Sequence, residues 1–178
     1  MDPLTELAIK HGADKWGKHH YTPVYFDLFK DRRETVKKVL EIGTAEGAGL
    51  KVFRDFFPNA TIYGAEIDKK RVENLQGLDR IAVFEFDQSL TKNIADLFDY
   101  LYDLDLVIDD GSHNPADQIF TCLGAMPFLN NDAIYIIEDV TNETAEMLFR
   151  LLTKYNITIK KVGDRYDDRL VIVRHKNG

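Results

Sequence analysis

From residue 36 to residue 155 the chain alternates between short runs of aliphatic and β-branched residues and stretches whose apolar residues recur at helical spacing. VKKVLEIG (36–43), ATIYGAEI (60–67), IAVFEFD (81–87), LDLVIDD (104–110) and DAIYIIED (132–139) read as buried strands. AGLKVFRDFFP (48–58), a short segment near Lys69–Leu75, KNIADLFDYL (92–101), PADQIFTCLGAMPFL (115–129) and ETAEMLFRLLTKY (143–155) read as helices, the first stopped by Pro58. Such alternation predicts an α/β fold with a mostly parallel sheet covered on both faces. ITIKKVGD and RLVIVRH then close the chain as an antiparallel pair around a polar loop (163–168), as a reversed last strand would. Two helical patterns, around Leu4–His11 and Pro23–Lys30, precede the first strand. The expectation is one domain, with residues 1–35 a helical or lid segment and 36–178 the core.

Several classes are disfavoured. No apolar run approaches the ~18 residues of a membrane span, and MDPLTELAIKHG lacks the layout of a signal peptide. The single cysteine, Cys122, cannot form an internal disulfide and is expected to be a small core residue in a cytoplasmic protein. A formal net charge of −7 argues against a nucleic-acid backbone as the main partner.

In open sheets of this kind ligands bind beyond the carboxyl ends of the strands, so the strand ends carry the functional reading. After the first strand comes LEIGTAEGAG (40–49). The dinucleotide pattern G-x-G-x-x-G fails because Ala45 and Glu46 follow Gly43, and no Gly-Lys-Ser/Thr makes a P-loop. What remains is a tight turn with Glu41 just inside it, either structural or a seat for a ligand. Glu66 ends the second strand about twenty residues on, where such folds place an acid against ribose hydroxyls, with Asp68 its competitor. Asp87 and Gln88 end the third strand. They are placed to read an adenine edge, or Asp87 or Ser89 caps the following helix.

The fourth strand ends Asp109-Asp110-Gly111-Ser112-His113 and the fifth ends Glu138-Asp139. Carboxylates converging on one sheet edge repel unless a cation or protons neutralise them. Oxygen ligands suit Mg²⁺, Mn²⁺ or Ca²⁺ better than zinc, and His113 is expected to be a base beside the metal. Adjacent strand residues point to opposite faces, so Glu138 and Asp139 can share a metal only if the strand bends at its end. HGADKWGKHHYTPVY (11–25) is polar, aromatic and poor in helical pattern. It reads either as a lid or as an arm packing Trp16 into the core.

With those residues in view, the chain resembles the metal-dependent sugar O-methyltransferases that use S-adenosylmethionine (SAM), typified by the mycinamicin and related macrolide deoxysugar O-methyltransferases. The resemblance rests on DKWGKHHYTPVY, LEIGTAEGAG, IYGAEID, FDQS, DDGSH and YIIED, in that order. It implies a class I SAM-methyltransferase (Rossmann-like) fold with a seven-stranded sheet. It further implies that Asp110, Glu138 and Asp139 bind a divalent cation, with His113 as general base. Glu41, Gly43, Glu66, Asp87, Gln88 and Asp109 would hold SAM, and Lys15, Trp16, His20 and Tyr21 would face the substrate from the lid. The family's macrolide members carry an additional N-terminal domain for which 178 residues leave no room, so the expected acceptor is another sugar, in a glycan or glycoside. A Mg²⁺-dependent catechol or phenolic O-methyltransferase and a non-catalytic SAM-fold module are the alternatives.

Overall fold

A computed structural model describes residues 1–176. The sheet has seven strands, β1 Lys38–Ile42, β2 Thr61–Glu66, β3 Ile81–Glu85, β4 Leu104–Asp109, β5 Leu129–Ile137, β6 Tyr155–Lys161 and β7 Arg169–His175. Their order is β3-β2-β1-β4-β5-β7-β6, and β7 runs antiparallel to both of its neighbours. The remaining pairs are parallel. The expected mostly parallel sheet with a reversed last strand is therefore present. Its connections reverse direction between β1 and β4, the place where open α/β sheets form a ligand crevice.

Two helices, α1 Pro3–His11 and α2 Thr22–Phe29, precede the sheet; α3 Ala48–Phe56, α4 Lys69–Asn74, α5 Thr91–Tyr100, α6 Pro115–Ala125 and α7 Asn142–Leu151 connect its strands. One apolar layer joins Leu4, Tyr25, Phe29, Phe53 and Phe56 to Ile108, Ile136 and Ile172. The other joins Phe98, Cys122, Met126 and Leu148 to Val107, Tyr135 and Val173. The alternation Val107/Ile108 and Tyr135/Ile136 across the two layers is the period-2 signature of strands buried on both faces. Cys122 is a buried core residue, as expected, and burial pushes its thiol well above the usual range.

The sequence places the sixth helix through residue 129 and starts the fifth strand at 132; the chain makes that change earlier. Pro127 lacks the N–H that a continuing helix needs. The backbone tightens into a 3-10 turn, Met126–Phe128, and enters β5 at Leu129. Asn130 and Asn131, polar and outside the expected strand, belong to β5. Among the described residues no helix is long and apolar enough to cross a membrane.

Candidate active site

Two adjoining cavities lie at the carboxyl edge of the sheet. The larger, about 480 Å³, is lined by Gly43, Glu66, Asp87, Gln88, Gly111 and Ser112 among others. The smaller, about 370 Å³, is lined by Lys15, Glu41, Glu46, His113 and Asp139, and shares Gly43, Ala45 and Asp110 with the first. Gly43 is the hinge between them. Its φ is +81°, and a Cβ there would lie 2.1 Å from the Asp110 carbonyl oxygen, so only glycine lets β1 and β4 approach at this point.

Glu66, Asp87 and Gln88 line the larger cavity and each is already engaged, whereas Glu41, expected beside them, lines the smaller one. Glu66 accepts from the Thr44 and Ala45 amides at 3.1 and 2.9 Å and from the Asp68 amide at 3.0 Å. It thereby pins the turn after β1 to the end of β2. Asp68, its competitor, caps α4 through the Lys70 and Arg71 amides. Asp87 accepts from the Ser89 amide and hydroxyl at 2.9 and 2.6 Å, so a local capping role coexists with its place in the cavity wall. Gln88 donates to both Asp109 oxygens at 2.7 and 2.8 Å and accepts from the Ser112 amide at 2.9 Å, tying the ends of β3 and β4 together. Asp109 stands beneath the cavity rather than in its wall: it is fully buried and also accepts from the Tyr135 hydroxyl at 2.9 Å. Burial pushes its pKa up to about 6 against the Gln88 and Tyr135 hydrogen bonds.

In the smaller cavity the acids do converge, and the chain supplies one neutralising cation itself. The Lys15 ammonium donates to Glu138 Oε2 at 2.8 Å and to Asp110 Oδ2 at 3.1 Å, and lies 3.2 Å from Glu41 Oε1. Burial pulls this lysine toward neutrality, but Asp110, Glu138 and Glu41 outweigh it and hold its pKa well above the usual range. The other Glu138 oxygen accepts from the Tyr25 hydroxyl. Lys15 is thus an internal counter-ion, 3% exposed, set in the wall of the smaller cavity. Trp16 packs on the apolar core, as the arm alternative requires, and exposed His20 stands edge-on to it at 4.9 Å. Tyr21 is buried, its hydroxyl donating to Asp139 Oδ1 at 2.6 Å.

Asp110, His113 and Asp139 each offer a ligand atom, and these atoms lie within 4.8 Å of one another. β5 does bend at its end, with Asp139 in the left-handed region at φ +52°. The bend sends Asp139 toward Asp110 and His113 and leaves Glu138 with Lys15 and Tyr25. Two neighbouring carboxylates are oxygen donors of the kind a hard divalent cation accepts, so Asp110 and Asp139 fit such an ion without Glu138, and the His113 imidazole stands beside them. Residues that the sequence reading did not single out also contribute. Tyr25 holds Glu138, Arg71 pairs with Glu46 at 3.2 Å on the cavity rim, and His19 lies buried against Asp168.

The buried acids make stability depend on pH. Burial pushes Glu41 up to about 7, against the Lys15 ammonium, and Asp109 to about 6. Both values lie above those of the unfolded chain, so between about pH 4 and 7 the folded state binds more protons than the unfolded one. Stability conferred by these two groups therefore falls as pH rises through that window and levels off above it. Urea midpoints in EDTA are expected to be higher at pH 5 than at pH 8; the reverse order would contradict the assignment.

Strand order and a cavity at the β1/β4 reversal together define the class I SAM-dependent methyltransferase fold. No protein-family model matches the chain. In sequence it is similar to the 8-demethyl-8-alpha-L-rhamnosyl tetracenomycin-C 2'-O-methyltransferase of Streptomyces olivaceus, 35% identical over an alignment of 145 positions that covers 77% of this chain and 37% of that protein. It is also similar to the mycinamicin VI 2''-O-methyltransferase of Micromonospora griseorubida, 33% identical over an alignment of 146 positions that covers 77% of this chain and 36% of that protein. The chain thus spans just over a third of the length of these curated relatives. In structure it is similar to the MycE methyltransferase of the mycinamycin biosynthetic pathway in complex with Mg, SAH and mycinamycin VI, with TM-score 0.79 and 26% identity over 98% of this chain and 54% of that one. The SAH-bound methyltransferase PaMTH1 of Podospora anserina shares the fold along 99% of this chain and 89% of its own, with TM-score 0.70 and 15% identity. The homologues of this chain are therefore sugar O-methyltransferases, in line with the resemblance its motifs carry.

Proposed function

We propose that the chain is a SAM-dependent O-methyltransferase that methylates a sugar hydroxyl of a glycan or glycoside with the help of a divalent cation, Mg²⁺ foremost. The observation that carries this reading is the Asp110–His113–Asp139 group opening beside the cavity at the β1/β4 reversal. The larger cavity, within the range typical of small-molecule sites, would take SAM, with Glu66 near the ribose, Asp87 and Gln88 near the adenine, and Gly43, shared with the smaller cavity, toward the methionine end. Asp109 would support this wall from beneath through Gln88.

Asp110 and Asp139 would hold the cation, with Glu138 joining them only by exchanging the Lys15 ammonium. A divalent ion bound there supplies Lewis acidity and a template for neighbouring sugar oxygens. His113 would take the hydroxyl proton, the task of a general base, as that oxygen attacks the methyl carbon of SAM and the methyl–sulfur bond breaks, leaving S-adenosylhomocysteine. The acidic edge orients the acceptor, and proximity to the larger cavity contributes the alignment of the two reactants. The net charge of −7 supports a small or glycan acceptor over a nucleic acid, and the composition suits a cytoplasmic protein.

Calorimetry tests this directly. SAM is expected to bind with or without EDTA, and a separate Mg²⁺ signal is expected to vanish in Asp110→Asn. Absence of SAM binding in both buffers would overturn the methyltransferase reading, and methylation of a catechol but of no sugar would favour a phenolic acceptor.

A further inference from the structure

Asp139 holds a backbone conformation, φ +52°, that non-glycine residues adopt sparingly and keep only where their surroundings enforce it. Tyr21 enforces it from two sides. Its hydroxyl donates to Asp139 Oδ1 at 2.6 Å and accepts from the Asp139 amide at 3.3 Å. The Tyr21 ring stacks on His19, with centroids 4.8 Å apart and planes 15° from parallel. His19 is 2% exposed; its Nδ1 lies 2.9 Å from Asp168 Oδ1 and 3.6 Å from Asp139 Oδ1.

Asp168 comes from the other end of the chain, in the loop between β6 and β7, 149 residues from His19. It is 3% exposed, and its second oxygen accepts from the Arg165 amide at 3.0 Å. That oxygen lies 2.1 Å from where a Cβ on Gly163 would stand, so the loop closes over the carboxylate only because residue 163 has no side chain. Burying a carboxylate against an imidazole is a poor way to gain stability compared with an apolar pair. The arrangement does fix direction: Asp168 anchors His19, His19 backs Tyr21, and Tyr21 grips Asp139.

We propose that Asp168 is a positioning residue for the metal site, acting through His19 and Tyr21 to aim the Asp139 carboxylate at the cation. This rests on the metal reading given above. Outer hydrogen-bond partners of metal ligands typically change metal affinity ~10–100-fold when removed. Mg²⁺ titration of the whole protein by calorimetry tests it, with S-adenosylhomocysteine titrated in parallel. Asp168→Asn preserves the size of the side chain and weakens its hold on His19. It is expected to bind Mg²⁺ about 10–100-fold more weakly, with unchanged affinity for S-adenosylhomocysteine. Tyr21→Phe removes only the hydroxyl and is expected to show the same pattern, so it decides the matter if Asp168→Asn does not fold. Wild-type Mg²⁺ affinity in these variants would overturn the positioning role and leave the metal reading standing. A parallel loss of S-adenosylhomocysteine affinity would also overturn it, because the effect would then be general loosening. A wild-type protein that binds no Mg²⁺ would remove the metal reading itself, and this inference with it.

Discussion

Replacing Lys15 by methionine is expected to lower folding stability by about 3–5 kcal/mol, the range for removing one partner of a buried ion pair. Methionine fills most of the volume, so the loss isolates the charge. Without the ammonium, Glu41, Asp110 and Glu138 face one another with no cation among them. For a chain of this size the corresponding fall in melting temperature is roughly 6–20 °C. It should be largest at pH 8 in EDTA. It should shrink toward pH 6, because Glu41, already pushed up to about 7 by burial, then takes up a proton and relieves the repulsion. Mg²⁺ should restore part of the loss at pH 8, since a ligand of the folded state stabilises it. An unchanged melting temperature at pH 8 would show that the three acids do not depend on Lys15.

The largest kinetic effect is expected at His113. His113→Asn should reduce turnover by ~10²–10⁴-fold, the usual contribution of a well-placed general base, while binding of SAM and Mg²⁺ persists. Asparagine suits the test because His113 sits in the left-handed region at φ +55°, which asparagine tolerates far better than β-branched residues. The imidazole is exposed at the mouth of the smaller cavity, on the turn between β4 and α6. Single-turnover assays with saturating SAM check the prediction. Wild-type turnover would remove His113 from proton transfer; loss of Mg²⁺ binding in step with turnover would make it a ligand instead of a base.

The fold was open to sequence reading because both its periodicities are strong. Val107/Ile108 and Tyr135/Ile136 lie on strands buried on both faces, and the loaded residues gather where the strands end. The start of β5 was obscured by Asn130 and Asn131, which lie in the irregular stretch between the register partners Leu129 and Ile134. The convergence of acids at the edge of β4 and β5 was legible from the doubled pairs Asp109-Asp110 and Glu138-Asp139. The division of labour among them was not. Lys15 meets Asp110 and Glu138 across 95 and 123 residues of chain, and no local pattern records such a contact. The alternation that points Asp110 into the site also points Asp109 away from it, toward Gln88 and Tyr135. In KHHY the same alternation was available. The bridge between Trp16 and His20 turns His20 outward, so His19 and Tyr21 share the inner side.

The ion-paired edge also bears on how the protein comes together. Sheet strands from the middle of the chain can pair in near-neighbour order, but Lys15 with Glu138, and His19 with Asp168, close loops of 123 and 149 residues. Contacts so distant in sequence form slowly and late, after more local structure has shortened the effective path between them. A refolding chain would then regain its sheet before its charged edge is neutralised. Far-ultraviolet ellipticity would recover ahead of Mg²⁺ binding, and metal uptake would report the arrival of the two chain ends.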